Sequence, residues 1–169
     1  MTLIIEDGTG LANAEAYASV AYCDQYHSDR GNTLWATDMT TDQKEQSIRR
    51  AADFMSQTYR TKWLGFRRHS TQALDWPRVG VVVDKFVVVL DSVVPDDIKK
   101  ANAELAFKGA FGDLNTDQTQ GVIRKKVDGI EIEFDKNSPQ TKKILSALGM
   151  LTQYLSGGGS SVLIGINRV

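Results

Sequence analysis

The sequence predicts a mainly α, α+β fold: a compact bundle of about four helices, one or two β-hairpins and a C-terminal extended tail. Three observations carry that prediction. Apolar residues recur with 4-3-4 spacing at Ile48, Ala52, Met55 and Tyr59 and again at Ile144, Leu148, Leu151 and Leu155, the mark of helices with one buried face. Asp128-Gly129 stands between two β-prone runs, Val122 to Val127 and Ile130 to Phe134, and Asp-Gly favours the two-residue hairpin turn. Gly157-Gly158-Gly159-Ser160-Ser161 then separates the last helix from an apolar run of strand-like composition. At 169 residues and 41% hydrophobic, the chain suits one core, so residues 1–156 are read as a single domain and 157–169 as a hinge and arm.

The elements follow in order. Leu3-Ile4-Ile5 reads as a short extended segment, and Asp7-Gly8-Thr9-Gly10 as a turn. A dinucleotide loop is not expected there, because Asn13 occupies the third glycine position. Ser19 is an N-cap for a helix over Val20 to Arg30, stopped by Gly31. A second helix begins at Thr40 or Thr41 and runs to about Thr58, with Arg49, Arg50 and Asp53 facing water. Val81-Val82-Val83 and Phe86 to Leu90 form a hairpin around Asp84-Lys85. Pro95 is the expected first residue of a third helix, with Asp96 and Asp97 complementing its dipole. Ile98, Ala101, Leu105 and Phe111 supply its buried side, and Gly112 the stop. Asn115 to Gln120 is a polar linker. In the Asp128-Gly129 hairpin Ile130, Ile132 and Phe134 alternate with Glu131 and Glu133, and Lys125 and Lys126 are expected opposite those glutamates. Ser138-Pro139 opens the last helix.

The most informative stretch runs from Tyr59 to Arg78. Between Arg60 and Arg78 lie five basic residues (Arg60, Lys62, Arg67, Arg68, Arg78) against one acidic residue, Asp75, while the whole chain carries 20 basic and 21 acidic side chains. Trp63, Phe66 and Trp76 sit among those charges. A polar loop holding large aromatics is usually there to touch something. The ordinary alternative for Trp63 and Trp76 carries equal weight: a tryptophan beside proline often pins a loop onto its own core.

Chemistry for catalysis is thin. Cys23 and His27 share a helix face beside Asp24, but zinc wants four ligands and only His69 remains. A packed Cys23 and a partly exposed His27 are the simpler reading. Gly109 to Gly112 lacks the Lys-Ser/Thr ending of a phosphate loop. No cofactor, metal or enzymatic activity is therefore expected; binding or assembly is. A net charge of −1 argues against a general nucleic-acid coat. One cysteine excludes an internal disulfide and fits a reducing compartment. No signal peptide and no membrane span are read, since the longest apolar run is broken by Asp84-Lys85 and Asp91.

An ordered set of residues resembles a family. Asn13 to Val20, Tyr26, Arg30-Gly31, Trp35, Ala51-Ala52, Trp63-Leu64-Gly65, Gln72 and Leu74-Asp75-Trp76-Pro77-Arg78 open it. Pro95, Ala101, Glu104, Leu105 and Ala106, the Val127 to Phe134 hairpin, Tyr154-Leu155 and Arg168 continue it over nearly the whole chain. The set resembles a tailed-phage and prophage family, similar to head–tail connector adaptors and with members labelled DnaT-like single-stranded-DNA-binding proteins. The connector resemblance implies a structural protein without enzymatic activity, in the virion at the head–tail junction and in the host cytoplasm before assembly. It implies a ring of twelve subunits under the portal protein, contact with the next connector (stopper) or tail protein, and non-specific contact with packaged DNA. Arg60, Lys62, Trp63, Phe66, Arg67, Arg68, Trp76 and Arg78 are the expected partner- or DNA-binding residues. Val162, Leu163, Ile164, Ile166 and Arg168 are the expected arm between subunits, with return to the same chain's own sheet as the alternative. The other label implies a single-strand binder acting in replication; the slightly negative total charge weighs against it, so the connector is the expected function and the single-strand binder the alternative.

Overall fold

The computed structural model describes residues 2–114, 122–126, 131–134 and 144–157. The Asp128-Gly129 turn, the Ser138-Pro139 helix start and the tail from 162 onward lie outside them. Helix α1 spans Val20–Ser28, and the Ser19 hydroxyl accepts the Tyr22 N–H (3.1 Å) as its cap. It stops two residues short of the expected Arg30, whose guanidinium turns back to the Tyr26 carbonyl (3.1 Å) and lies 3.6 Å over the Tyr26 ring. A short helix α2, Thr33–Thr37, follows; five residues carry no readable period, and none was expected. Its Trp35 is buried and donates its indole N–H to Asp24 (2.7 Å).

Helix α3, Thr41–Tyr59, opens with a capping box between Thr40 and Gln43. Its expected stripe, Ile48, Ala52, Met55 and Tyr59, is wholly buried. Arg50 and Asp53 are exposed as expected. Arg49 is half-buried instead, because Glu15 (3.1 Å) and Glu45 (3.5 Å) both reach its guanidinium.

The loop after α3 carries two ladders of two residues each. Strands β1 (Phe66–Arg67) and β2 (Arg78–Val79) pair antiparallel, as do β3 (Val82–Val83) and β4 (Val87–Val88). Asp84 and Lys85 make the β3–β4 turn with φ of 50° and 70°, so the expected hairpin forms without a glycine.

Helix α4 spans Asp96–Ala110, with Pro95 at its cap, one position earlier than expected, and Asp96 and Asp97 in its first turn. Ile98, Ala101 and Leu105 are buried, but Phe111 lies past the helix end and is 48% exposed. Helix α4 packs against α3, the most extensive helix contact among the described residues, with the buried Ala106 on that side. The seam is clasped by polar groups. Ser47 donates to the Ala106 carbonyl (2.9 Å) and Asn102 to the Ile48 carbonyl (3.2 Å). Asn102 Oδ1 also accepts the N–H groups of Tyr17 (3.1 Å) and Ala18 (3.2 Å), tying the N-terminal segment to the seam.

Strands β5 (Val122–Lys126) and β6 (Glu131–Phe134) pair antiparallel. Their register places Lys126 opposite Glu131 and Arg124 opposite Glu133. Lys125 faces Ile132, since partner positions move in opposite directions along an antiparallel pair. Helix α5, Leu145–Leu151, packs on α4 and runs into a 3-10 turn, Thr152–Tyr154. Near the N-terminus the Gly8-Thr9-Gly10 turn wraps the chain's own Glu6, whose carboxylate accepts the N–H groups of Gly8, Gly10 and Leu11 at 2.8–2.9 Å. Gly8 has a further reason: a Cβ there would lie 2.2 Å from the Ser92 carbonyl oxygen. The architecture is thus α+β: five α-helices and antiparallel two-stranded ladders among the described residues.

Candidate functional site

The segment from Arg60 to Val94 divides into an inner and an outer set of side chains. The inner set is held by the C-terminal turn. Trp63 and Leu155 form an antiparallel bridge, Leu64 N–H donates to the Tyr154 carbonyl (2.9 Å) and Ser156 N–H to that of Lys62 (2.6 Å). This draws Trp63 and Trp76 inward, where they are 5% and 0% exposed. Tyr59, Trp63, Trp76 and Tyr154 form a chain of rings at 5.7, 5.8 and 5.4 Å between centroids. Their faces are filled by one another, so neither tryptophan offers a face for stacking, and both pin the loop to the core.

Asp75 sits beneath them, buried, accepting the Trp63 indole N–H (3.3 Å) with Arg60 at 3.7 Å. Burial pushes its carboxyl above the usual range, against the pull of Arg60, the Trp63 hydrogen bond, Arg78 and Arg67. The Tyr17 hydroxyl accepts the N–H groups of Asp75 (3.0 Å) and Trp76 (3.3 Å). Arg78, 6% exposed, donates to the carbonyls of Leu64 (2.7 Å), Gly65 (2.7 Å) and Asp75 (3.2 Å). Burial lowers its pKa, and its donors are committed to the loop, which leaves it unavailable to a phosphate. Gln72 completes the lining, accepting from His69 N–H (2.9 Å) and donating to Leu74 (2.9 Å) and Pro77 (3.1 Å).

The outer set stands on β1 and on the β3–β4 turn. Phe66 is 78% exposed opposite Val79, itself exposed. Arg67 and Arg68 follow it, half-buried: Arg67 donates to the Gln72 carbonyl, and Arg68 to those of Asp91 (3.0 Å) and Gly8 (3.3 Å). Those bonds hold both guanidiniums against the loop backbone. Arg60 and Lys62 are exposed on the preceding turn. Sequence reasoning missed Phe86, which is 81% exposed at the hairpin tip beside exposed Lys85. A phenylalanine directly after a tight polar turn was the available signal.

Of the eight expected binding residues, Arg60, Lys62 and Phe66 lie outside, Arg67 and Arg68 at the boundary, and Trp63, Trp76 and Arg78 inside. The five expected arm residues lie outside the described set. Cys23 and His27 have core roles. Burial pushes the Cys23 thiol up to about 12. His27 is fully buried rather than partly exposed, because α4 and α2 close over it. A carbonyl can only accept, so Nε2–H donates to Ala103 O (3.1 Å) and Nδ1 accepts from the Asn32 side-chain amide (3.1 Å). Burial lowers the His27 pKa. Asp96 and Asp97 serve the α4 start, with Tyr22 and Lys100 on the first and Gln153 and Tyr154 on the second.

Compared with known proteins, residues 1–169 match a family model described as "Putative DnaT-like ssDNA binding protein". No curated protein and no solved structure matches the chain. The family match corrects the head–tail connector expectation. It points to a single-strand-binding family over the whole chain, and no connector family is shown. The virion role, the portal, stopper and tail partners and the twelve-subunit ring fall with it. The connector reading had leaned on the near-zero net charge, a whole-chain sum that is silent about one local surface.

Proposed function

The chain belongs to the DnaT-like ssDNA binding family, and from that premise we propose that it binds single-stranded DNA through the outer set of the 60–94 segment. The observation that carries the proposal is Phe66: a large aromatic ring, 78% exposed, directly followed by two arginines whose guanidiniums are held by backbone carbonyls. A base can stack on that ring while phosphates meet the guanidinium Nη that those carbonyls leave on Arg67 and Arg68, where Arg78 has all three nitrogens bonded, with Arg60 and Lys62 on the turn before. Every base has a π-face, so no sequence preference is expected. In a duplex the bases already stack on one another, and a projecting phenylalanine finds no face to cover. Single strands are therefore preferred.

Few phosphates are neutralised, so affinity is modest and salt-sensitive. Four cations imply a slope of log affinity against log salt of about −3. Fluorescence anisotropy of a labelled oligothymidine, titrated at several salt concentrations and beside a duplex of equal length, tests this. Binding to the single strand with that slope, and weaker binding to the duplex, is expected. Equal affinity for both, or none at low salt, would reject the proposal.

A further inference from the structure

Between Val82 and Val93 the chain exposes Val82, Phe86, Val87, Val88, Leu90 and Val93, at 43–81% each, around a ladder of two residues per strand. So short a ribbon is marginal alone, and so much apolar surface in one place is normally covered. Val89 N–H donates to the Val81 carbonyl (3.0 Å), so the next facing pair, Val82 and Val88, is the non-hydrogen-bonded one. Its amides point outward, Val82 from the β3 edge and Val88 from the β4 edge. The 3-10 turn Thr152–Tyr154 lies against β3, and Ser156 is fastened to the Lys62 carbonyl through both N–H (2.6 Å) and Oγ (2.8 Å). The described chain thus ends at Gly157 on the β3 side of the hairpin.

Four small residues later comes Val162-Leu163-Ile164-Gly165-Ile166, without a charge. Four residues reach about 14 Å. We propose that this run adds to the outer edge of β3 in its own chain, as a third strand covering the hairpin's apolar surface. Backbone hydrogen bonds supply the attachment, and an unbroken apolar run suits a strand covered on both faces. The short link decides the occupant. It holds the run near its edge at an effective concentration in the millimolar range, above that of any second copy in dilute solution.

Amide hydrogen exchange tests this on the full chain, on a chain ending at Ser156 and on the full-length variant Leu163→Asp. The Val82 amide is expected to exchange about tenfold faster in both altered chains, with Val88 and the α3 amides unchanged as internal controls. Protection in the full chain is expected to survive dilution. Equal Val82 exchange in all three proteins would overturn the proposal. So would protection that fades on dilution, which would assign the edge to a neighbour's tail.

Discussion

The α3–α4 seam and the 60–94 segment are both held by polar groups inside apolar surroundings, yet they are built in opposite ways. The seam consists of small apolar side chains at helical spacing, and Ser47 and Asn102 each reach across it to a helix carbonyl. The segment has almost no repeating structure and is closed by charge: Arg78 lies inside and satisfies its loose backbone carbonyls, and Asp75 lies inside and holds the Trp63 indole and Arg60. Helix backbones satisfy themselves and leave side chains free to pack, whereas loop backbones must borrow side-chain donors and acceptors. A basic stretch in a loop therefore contains two populations of arginine, one binding the protein itself and one facing outward. Arg78 belongs to the first, and Arg60 to the second.

The largest effect should come where the segment joins the core. Trp76→Ala removes a fully buried ring from the aromatic chain and should cost about 4 kcal/mol in urea unfolding. A loss under about 1 kcal/mol would mean that the segment hangs on the body rather than being part of it. On the helical side, Asn102→Ala leaves the N–H groups of Tyr17 and Ala18 without their acceptor. About 3 kcal/mol should be lost, read by the same unfolding curves. If the loss were only that of an exposed asparagine, the clasp would not matter to the seam.

Acid should act through the helical side. The His27 pKa is lowered from its ordinary value of 6.5, chiefly by burial, so the unfolded chain binds this proton more readily than the folded one. The associated stability is fully present above about pH 6.5 and falls as pH drops through the depressed folded value. Denaturation midpoints measured from pH 7.5 down to pH 5 should show that decline, and His27→Gln should flatten it. Asp75 works in the opposite sense: its carboxyl is raised chiefly by burial, so its charged form weighs against folding at neutral pH and is relieved by acid. A rise in stability on acidification would mean that Asp75 outweighs His27.

Much of the helical half was legible because its signals are local. The helix start at Thr40 or Thr41, the Ile48 to Tyr59 stripe and the Ser19 cap each act within a turn or two of their own position. Helix α2 escaped because Trp35 is placed by Asp24 and His27 rather than by a period of its own. Phe111 was assigned to a buried face by continuing the α4 period one residue past its last helical position, Ala110. In the 60–94 segment the charges were readable but their destinations were not. Whether Arg78 is drawn inside to a carbonyl and Arg60 left at the surface depends on residues 14 and 15 positions away, brought close by the fold. Trp63 and Phe66 are three apart in the same basic run, and only the bridge from Trp63 to Leu155 turns one inward and leaves the other outside.

The contrast between outer and inner rings is most directly tested by one comparison of single-strand affinity. Oligothymidine binding at low salt should be measured for the wild type, Phe66→Ala and Trp63→Phe, each checked for unchanged fold by near-ultraviolet circular dichroism. Phe66→Ala should weaken binding about tenfold or more while leaving stability within about 0.5 kcal/mol, as expected for loss of one stacking ring from the surface. Trp63→Phe should leave affinity unchanged. Full affinity in Phe66→Ala, or a loss confined to Trp63→Phe in a folded protein, would contradict the account.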